Sequence, residues 1–198
     1  MTDEEGIKHD ESRAPDAKIG HRSVLLREAL EFLNVRPDGT YIDATLGAGG
    51  HAEAILGRLE SGRLLGIDRD PAALTVARAR LAAFGEKVTV LEGNIAEIDT
   101  LHAASGLPPA DGLLADLGVS SMQIEDASRG FSFNLPGPLD MRMSPSSGTT
   151  AEEIVNRLRE RDLADLIFKF GEERYSRRIA RAIVEARPMR KPPNWRRW

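Results

Sequence analysis

Two patterns of apolar residues alternate along the chain up to residue 115. Short, nearly continuous apolar runs predict four strands, at residues 41–44, 64–67, 88–91 and 112–115. Apolar residues at helical spacing predict helices at residues 23–33, 52–59 and 71–84. Because strands alternate with helices, the pattern indicates βαβ units and an α/β fold with a parallel sheet.

The alternation stops after the fourth strand. Residues 117–150 are rich in Gly, Ser, Pro and Met and show no clear period. A capping box at residues 150–153 and helical periods near residues 163–170 and 174–186 then predict helices alone. The predicted organisation is a disordered leader, a core with the first four strands, a helical insert and an atypical tail, at residues 1–20, 21–124, 125–187 and 188–198.

The composition excludes several classes of protein. The chain has 198 residues, no cysteine and a net charge of -4. The lack of cysteine excludes disulfides, thiolate catalysis and cysteine-ligated metals. The negative charge means that binding of RNA requires a local basic face. No apolar run approaches the roughly 18 residues of a membrane span, and residues 1–20 lack the apolar segment of a signal peptide. We therefore expect a cytoplasmic protein without a membrane partner.

A candidate ligand site lies where the predicted strands end. The glycine-rich turn at residues 47–50 follows the first strand, Asp68 ends the second and Asp116 follows the fourth. The carboxyl ends of parallel strands meet at one edge of a sheet, where ligands bind in open α/β folds. An acid about 20 residues past the glycines is suited to accept both hydroxyls of a ribose.

Two adenosine cofactors fit such a turn. The dinucleotide fingerprint G-x-G-x-x-G is incomplete here, because the third glycine is absent. S-adenosylmethionine has no phosphate and carries a sulfonium cation, so the acids Asp43, Asp68 and Asp116 favour it over NAD. A turn that merely joins strand to helix remains the structural alternative. His51 either contacts the cofactor or caps the following helix, and no metal site is predicted because no second histidine lies at ligand spacing.

Several strings together resemble one family. They are HRSVLLREAL, YIDATLGAGGH, LLGIDRDPAAL, LLADLGVSSMQ, RGFSF, GPLDMRM and FGEERYSRRIARAIV. The chain from about residue 21 to Arg187 is similar to the bacterial 16S ribosomal RNA cytosine-N4 methyltransferase family. The resemblance implies a Rossmann-like class I methyltransferase core with a helical insert, S-adenosylmethionine as methyl donor, and a cytidine of 16S ribosomal RNA in the 30S subunit as acceptor.

The resemblance also implies site residues. Asp68 would hold the ribose, Ile95 would lie over the adenine where relatives often have an aromatic residue, and Asp116 would lie near the reacting methyl group. The implied cofactor-binding set is Gly49, Gly50, His51, Asp68, Ile95, Asp116 and Gln123. Asp116 is also the candidate catalytic residue, as the acceptor for the hydrogens of the cytosine amine.

Three features of the later sequence have two interpretations each. Phe131 and Phe133 supply the stacking that the motif around Asp116 lacks, or they form local core. Residues 140–143 shape the acceptor site, or form a loop held by two methionines. Four arginines at helical spacing contact RNA phosphates, or form a solvated face paired with Glu172, Glu173 and Glu185; they are Arg174, Arg177, Arg178 and Arg181.

The resemblance implies a longer protein with more strands. After Arg187 the sequence departs from the family pattern, and we expect an incomplete, C-terminally truncated core. Beside the RNA methyltransferase, two other functions stay open. One is a non-catalytic fragment that binds the cofactor or RNA, which the missing strands favour. The other is a nicotinamide oxidoreductase, which the incomplete fingerprint disfavours.

Overall fold

The computed structural model describes residues 23–190, whose centre is a parallel sheet. Its strands are β1 (Thr40–Asp43), β2 (Arg63–Asp68), β3 (Val88–Glu92) and β4 (Gly112–Leu114). They lie side by side in the order β3-β2-β1-β4, and each neighbouring pair is parallel. This order confirms the predicted α/β, Rossmann-like arrangement. The leader and the tail beyond residue 190 lie outside the described residues.

Pairing sets which strand ends meet. Ile42 of β1 lies beside Leu65 of β2 on one side and beside Leu113 of β4 on the other. All four residues of β1 are buried, which explains its continuous apolar run, because the strands of a parallel sheet are covered on both faces. The carboxyl ends of β1, β2 and β4 therefore lie together at one edge of the sheet.

Helices α1 (Leu26–Leu33), α2 (Gly50–Leu56) and α3 (Pro71–Leu81) pack with the sheet in the larger core cluster. Asp70 caps α3 by accepting a hydrogen bond from the Ala72 amide at 3.0 Å. Helix α2 begins at Gly50, two residues before its predicted start, so it leaves the glycine turn directly. Helix α3 ends at Leu81, and a 3-10 segment with a kink at Gly85 replaces the rest of the predicted helix.

A second apolar cluster contains different sheet side chains. Ile42, Leu65 and Ile67 pack there with side chains of the 3-10 turn Ile95–Glu97 and of α4 (Ile98–Ser105). Since successive strand residues point to opposite faces, the sheet is covered on both sides, as a doubly wound fold requires.

The helices that follow the sheet are α5 (Ser121–Glu125), α6 (Ala151–Arg157), α7 (Glu160–Gly171) and α8 (Ser176–Glu185). The last three surround a separate apolar core that includes Leu163, Ala180 and Ile183. Thr150 and Glu153 form the predicted capping box. Met189 is buried in this core and its backbone bonds the Asn156 side chain, so packed structure continues two residues past the predicted boundary at Arg187.

Within residues 23–190, β4 is the edge strand of the sheet that lies next to the candidate site. Leu113 on this strand is half exposed, and within residues 23–190 no strand lies beyond it. In the same described part of the chain, no helix combines the length and the apolar character needed to cross a membrane.

Candidate functional site

A cavity of about 430 Å³ opens where β1, β2 and β4 end. Its volume falls in the range of about 300–1,000 Å³ found for small-molecule sites. Of the predicted cofactor residues, six line it: Gly50, His51, Asp68, Ile95, Asp116 and Gln123. The structure thus brings together residues that are up to 73 positions apart in the sequence, from Gly50 to Gln123.

Gly49 is not among the lining residues. It has a φ of 82°, in the left-handed region that favours glycine, and it is the N-cap of α2. A Cβ at this position would lie 3.4 Å from Leu81 Cγ and 3.5 Å from Ala77. These are ordinary contact distances, so the backbone conformation and not the space requires a glycine here, and the contribution of Gly49 to the cavity is the shape of the turn.

Asp68 holds the glycine turn in place. Its Oδ2 accepts a hydrogen bond from the Gly47 amide at 2.7 Å, and its Oδ1 accepts one from the Asp70 amide at 2.9 Å. A carboxylate has about four acceptor positions, so both oxygens keep capacity for further donors. A half-buried carboxylate with this capacity, on the cavity wall, fits the predicted contact with ribose hydroxyls.

His51 is nearly fully buried and lines the cavity. Its Nε2 lies 3.0 Å from the Val24 carbonyl oxygen. Because a carbonyl only accepts, this bond places a proton on Nε2. The side chain therefore joins α2 to the segment before α1 rather than capping its own helix, whose N-cap is Gly49.

Asp116 lies just past β4 with its side chain exposed at the cavity. Its backbone amide, not its carboxylate, holds the loop in place by donating to Thr45 Oγ1 at 2.7 Å. The carboxylate is consequently available to a ligand. Ile95 supplies an apolar part of the wall, since it packs partly against the cluster with Leu65 and Ile67.

Asp43, the third acid predicted around the site, does not line the cavity. Its side chain is buried at the end of β1, and its Oδ2 has no hydrogen-bond partner within residues 23–190. Burial raises the pKa of Asp43 to about 7, and the charges of Asp68 and Asp116 add to the rise, against a hydrogen bond from the Thr45 amide. Asp43 is thus a buried acid behind the site, protonated in part at neutral pH.

Sequence reasoning missed the network that holds Gln123. The Gln123 amide donates to Asp70 Oδ2 at 3.2 Å, while its Oε1 accepts from the Ser120 amide and closes a capping box on α5. Arg129 forms an ion pair with the same Asp70 oxygen. The S-x-x-Q spacing was the available signal for this cap, because it fits a capping box. Gln123 therefore lines the cavity while both ends of its amide are bonded to protein.

Arg129 also fixes the loop predicted to shape the acceptor site. Its second terminal nitrogen donates to the carbonyls of Arg142 and Met143, at 3.0 and 2.8 Å. Asp140 binds Arg142 through both carboxylate oxygens, and Met143 lines the cavity. Met141 is half exposed. The loop is held by Arg129 and Asp140 rather than by two methionines.

The two phenylalanines of the RGFSF string differ in environment. Phe133 is 90% exposed, so it is not local core, whereas Phe131 is partly buried. An exposed aromatic ring on a loop next to the cavity-lining loop is available to stack on a planar group.

Helix α8 and the residues just before it carry arginines that lack the expected acidic partners, within residues 23–190. Arg174 and Arg178 lie over the Tyr175 ring, with guanidinium carbons 4.6 and 5.2 Å from its centre. Arg181 approaches Glu160 at 3.5 Å, and Glu173 accepts from the Tyr175 amide. In the described chain, no ion pair joins these arginines or Arg177 to Glu172, Glu173 or Glu185.

Residues 23–190 contain no group of three or more His, Asp or Glu side chains placed to hold a metal ion.

The sequence profile of the MraW methylase family matches residues 18–193. Proteins named "Ribosomal RNA small subunit methyltransferase H" are similar over most of the chain. The one from Sorangium cellulosum is 55% identical over 166 residues, 84% of this chain and 52% of its own length. The one from Koribacter versatilis is 51% identical over 181 residues, 87% of this chain and 57% of its own length. The chain spans about half the length of the curated relatives it matches.

Among solved structures, a precorrin-6y C5,15-methyltransferase from Geobacter metallireducens aligns with a TM-score of 0.41 and 19% identity, over 67% of this chain and 69% of its own. That likeness is too slight to support an argument. The profile match covers nearly the whole chain, and the two named relatives are 55% and 51% identical to most of it. The chain belongs to the MraW methylase family.

Proposed function

We propose that this chain binds S-adenosylmethionine and transfers its methyl group to the exocyclic N4 amine of a cytidine in 16S ribosomal RNA. The observation that carries the proposal is the cavity, where Asp116 lies with Asp68 and the glycine turn at the carboxyl ends of β1, β2 and β4. The names of its relatives, which act on the small ribosomal subunit, support the acceptor. Because the chain spans about half of each relative, the activity of the whole enzyme is part of the proposal.

The residues present fit this cofactor. Asp68 has acceptor capacity for ribose hydroxyls, Ile95 offers an apolar surface for the adenine, and the carboxylates of Asp68 and Asp116 favour a sulfonium cation. Gly49, Gly50 and Gln123 support the proposed site through the turn and the cap on α5 that form its walls.

The alternative dinucleotide fits less well. A pyrophosphate is held by backbone amides of a glycine-rich turn and by the following helix terminus. Here the Gly47 amide donates to Asp68 and the Gly49 amide donates to the Leu46 carbonyl. Two amides of the turn are therefore already bonded within the protein, which argues against a nicotinamide oxidoreductase.

Catalysis by these residues consists of positioning and electrostatics. The bound cofactor supplies a methyl group on a sulfonium, from which a neutral thioether leaves in an in-line displacement. The cytosine amine is a weak nucleophile because its lone pair is delocalised into the ring. The Asp116 carboxylate, which makes no hydrogen bond or ion pair within residues 23–190, accepts an N–H of this amine and so concentrates the lone pair on nitrogen.

The acceptor base must leave its stack to reach the cavity. Met143 lies on the cavity wall, and the exposed Phe133 ring lies ten residues earlier on the same loop region. We assign to Phe133 the stacking surface that the Asp116 motif lacks, and to the loop at residues 140–143 the shaping of the acceptor side.

Ribosomal RNA is the proposed partner of α8. Within residues 23–190, Arg174, Arg177 and Arg178 form no ion pair, and such arginines are suited to phosphate contacts, which give affinity without sequence specificity. The guanidinium groups over Tyr175 combine charge with an aromatic face, a pairing typical of surfaces that bind single-stranded nucleic acid. This surface supports RNA binding over a solvated helix face.

The second candidate is a fragment that binds the cofactor or RNA without catalysis. It is favoured by the four-stranded sheet of residues 23–190, whose edge strand β4 leads directly into Asp116. Catalysis depends on how firmly this loop is held, whereas the cofactor walls also include the turn after β1, the start of α2, Asp68 at the end of β2 and residues 93–95 after β3.

Calorimetric titration of the purified chain with S-adenosylmethionine, with NAD as control, tests the cofactor. Saturable binding of S-adenosylmethionine alone is expected. A tritiated methyl-transfer assay on 30S particles lacking this modification then separates the enzyme from the binding fragment. Binding without transfer would identify the fragment, and binding of NAD alone would overturn the proposal.

A further inference from the structure

Arg80 is a positively charged side chain on the cavity wall that belongs to none of the motifs described above. Arg80 lies near the end of α3, and its side chain, 15% exposed, reaches the glycine turn. Its Nη1 donates to the Ala48 carbonyl at 3.2 Å. A carbonyl bond of this kind fixes the guanidinium at the cavity wall before any ligand arrives.

Within residues 23–190, protein atoms use only part of the hydrogen-bonding capacity of the Arg80 guanidinium. A guanidinium has five N–H donors in a rigid fork. Nε faces the half-exposed carboxylate of Glu53 at 3.7 Å, a loose ion pair, and Nη2 makes no hydrogen bond within residues 23–190. A partly buried guanidinium with free donors is suited to bind a carboxylate through two parallel bonds.

Gly50 allows two side chains to pack closely on the turn. A Cβ at Gly50 would lie 2.2 Å from Ser23 Oγ and 3.4 Å from Arg80 Nη1. The bare Gly50 backbone therefore lets Ser23 and the Arg80 guanidinium lie against the turn at the cavity. Gly50, Ser23 and Arg80 all line the cavity.

The two acidic side chains of the cavity give the carboxylate of the cofactor no partner of opposite charge. Asp68 and Asp116 suit the sulfonium and the ammonium of S-adenosylmethionine, but they repel its carboxylate. Arg69 is the other arginine on the wall, and it is exposed and directly follows Asp68. Arg80 instead lies at the glycine turn, where its bond to the Ala48 carbonyl fixes its geometry.

We propose that Arg80 binds the carboxylate of the amino acid end of S-adenosylmethionine and so orients the cofactor in the cavity. The assignment rests on the proposed function. It adds a binding residue outside the glycine turn and the two acids.

The test compares two ligands and two variants by calorimetry. Decarboxylated S-adenosylmethionine retains the sulfonium, the ammonium and the adenosine, and lacks only the carboxylate. Arg80→Gln removes the cation. Arg78→Gln is the matched control, because Arg78 is exposed on the same helix and its guanidinium donates to the Val90 carbonyl at 3.4 Å, away from the cavity.

For the unchanged chain we expect S-adenosylmethionine to bind about 10- to 100-fold more tightly than its decarboxylated form, as for one charge-assisted pair. In Arg80→Gln this preference is expected to disappear, through weaker binding of S-adenosylmethionine alone. The Arg80→Lys variant is expected to keep part of this preference, because it keeps a positive charge. The Arg78→Gln variant is expected to keep all of it.

Other outcomes overturn the assignment. If Arg80→Gln weakens both ligands equally, Arg80 only supports the turn through Ala48. If it weakens neither, the carboxylate binds elsewhere. A chain that binds neither ligand before any substitution, but melts cooperatively, contradicts the proposed function itself, and this result is distinct from a loss of preference in the variant.

Discussion

Asp70 and Arg129 form an ion pair that joins the wall of the cavity at Asp68 to the loop that carries Met143. The two side chains are 5% and 11% exposed. Burial alone would raise the pKa of Asp70, but hydrogen bonds from Arg129, Gln123 and the Ala72 amide outweigh it and keep the pKa below its ordinary value. Asp70 also bonds Asp68 through its amide, and Arg129 bonds the loop that carries Met143. One buried pair therefore fixes both walls of the site.

Arg129→Met tests this pair. Removal of the guanidinium leaves the Asp70 carboxylate buried without its cation, so we expect the free energy of unfolding to fall by about 3 kcal/mol. Urea unfolding measures the change. The matched control is Arg157→Met, whose ion pair with Glu153 is exposed and should change stability by less than about 0.5 kcal/mol. Equal effects of the two variants would contradict a special role for the buried pair.

The pH dependence of stability tests Asp43. Its pKa is about 7 in the folded protein and is raised by burial from 3.8. The folded state therefore holds the proton more tightly, so the contribution to stability is full below pH 4 and is lost as the pH rises through 7. The difference is of order 4 kcal/mol at about 1.4 kcal/mol for each pH unit.

Asp43→Asn removes this titration. Urea unfolding at several pH values between 4 and 8 should show the variant gaining stability relative to the unchanged chain as the pH rises. The exposed Asp38→Asn is the control, and it should leave the curve unchanged. A constant difference between Asp43→Asn and the unchanged chain across this range would show that Asp43 is ionised throughout.

Asp116→Ala separates catalysis from binding. The Asp116 amide, which the substitution keeps, holds the loop to Thr45, so the fold should survive. We expect methyl transfer to 30S particles to fall by about 100-fold or more, as when one electrostatic contact to the reacting group is removed. The calorimetric affinity for S-adenosylmethionine should fall much less than the rate, because Asp68 still offers the cofactor a carboxylate. Loss of cofactor binding would instead assign Asp116 to the cofactor pocket.

Phe133→Ala tests stacking of the acceptor base. The ring is 90% exposed, so its loss should leave the free energy of unfolding nearly unchanged. Stacking of one base is worth about 1–3 kcal/mol, so we expect KM for the RNA to rise about 5- to 100-fold. Phe32→Ala is the matched control, since Phe32 is 92% exposed on α1. A variant with normal KM would place the acceptor base elsewhere.

Much of the fold could be predicted from the pattern of residues. The runs that became β1 and β2 are continuous because both faces of these strands are buried, and this signal is local. Thr150 and Glu153 form the predicted capping box because a cap depends on residues three positions apart. The sequence did not predict where α3 ends. Apolar residues at helical spacing continue into the 3-10 segment, which kinks at Gly85.

The sequence by itself determined the sheet, the glycine turn and the acids at the ends of β2 and β4, because local periodicity and strand ends specify them. Only the tertiary structure decided which of these groups line the cavity. In the folded chain, Asp43 is buried, Gly49 lies against α3, and the Gln123 side chain donates a hydrogen bond to Asp70. The tertiary structure also brought Arg80 to the turn from 32 residues away. Such contacts depend on how helices pack across the sheet, and no pattern of neighbouring residues encodes them.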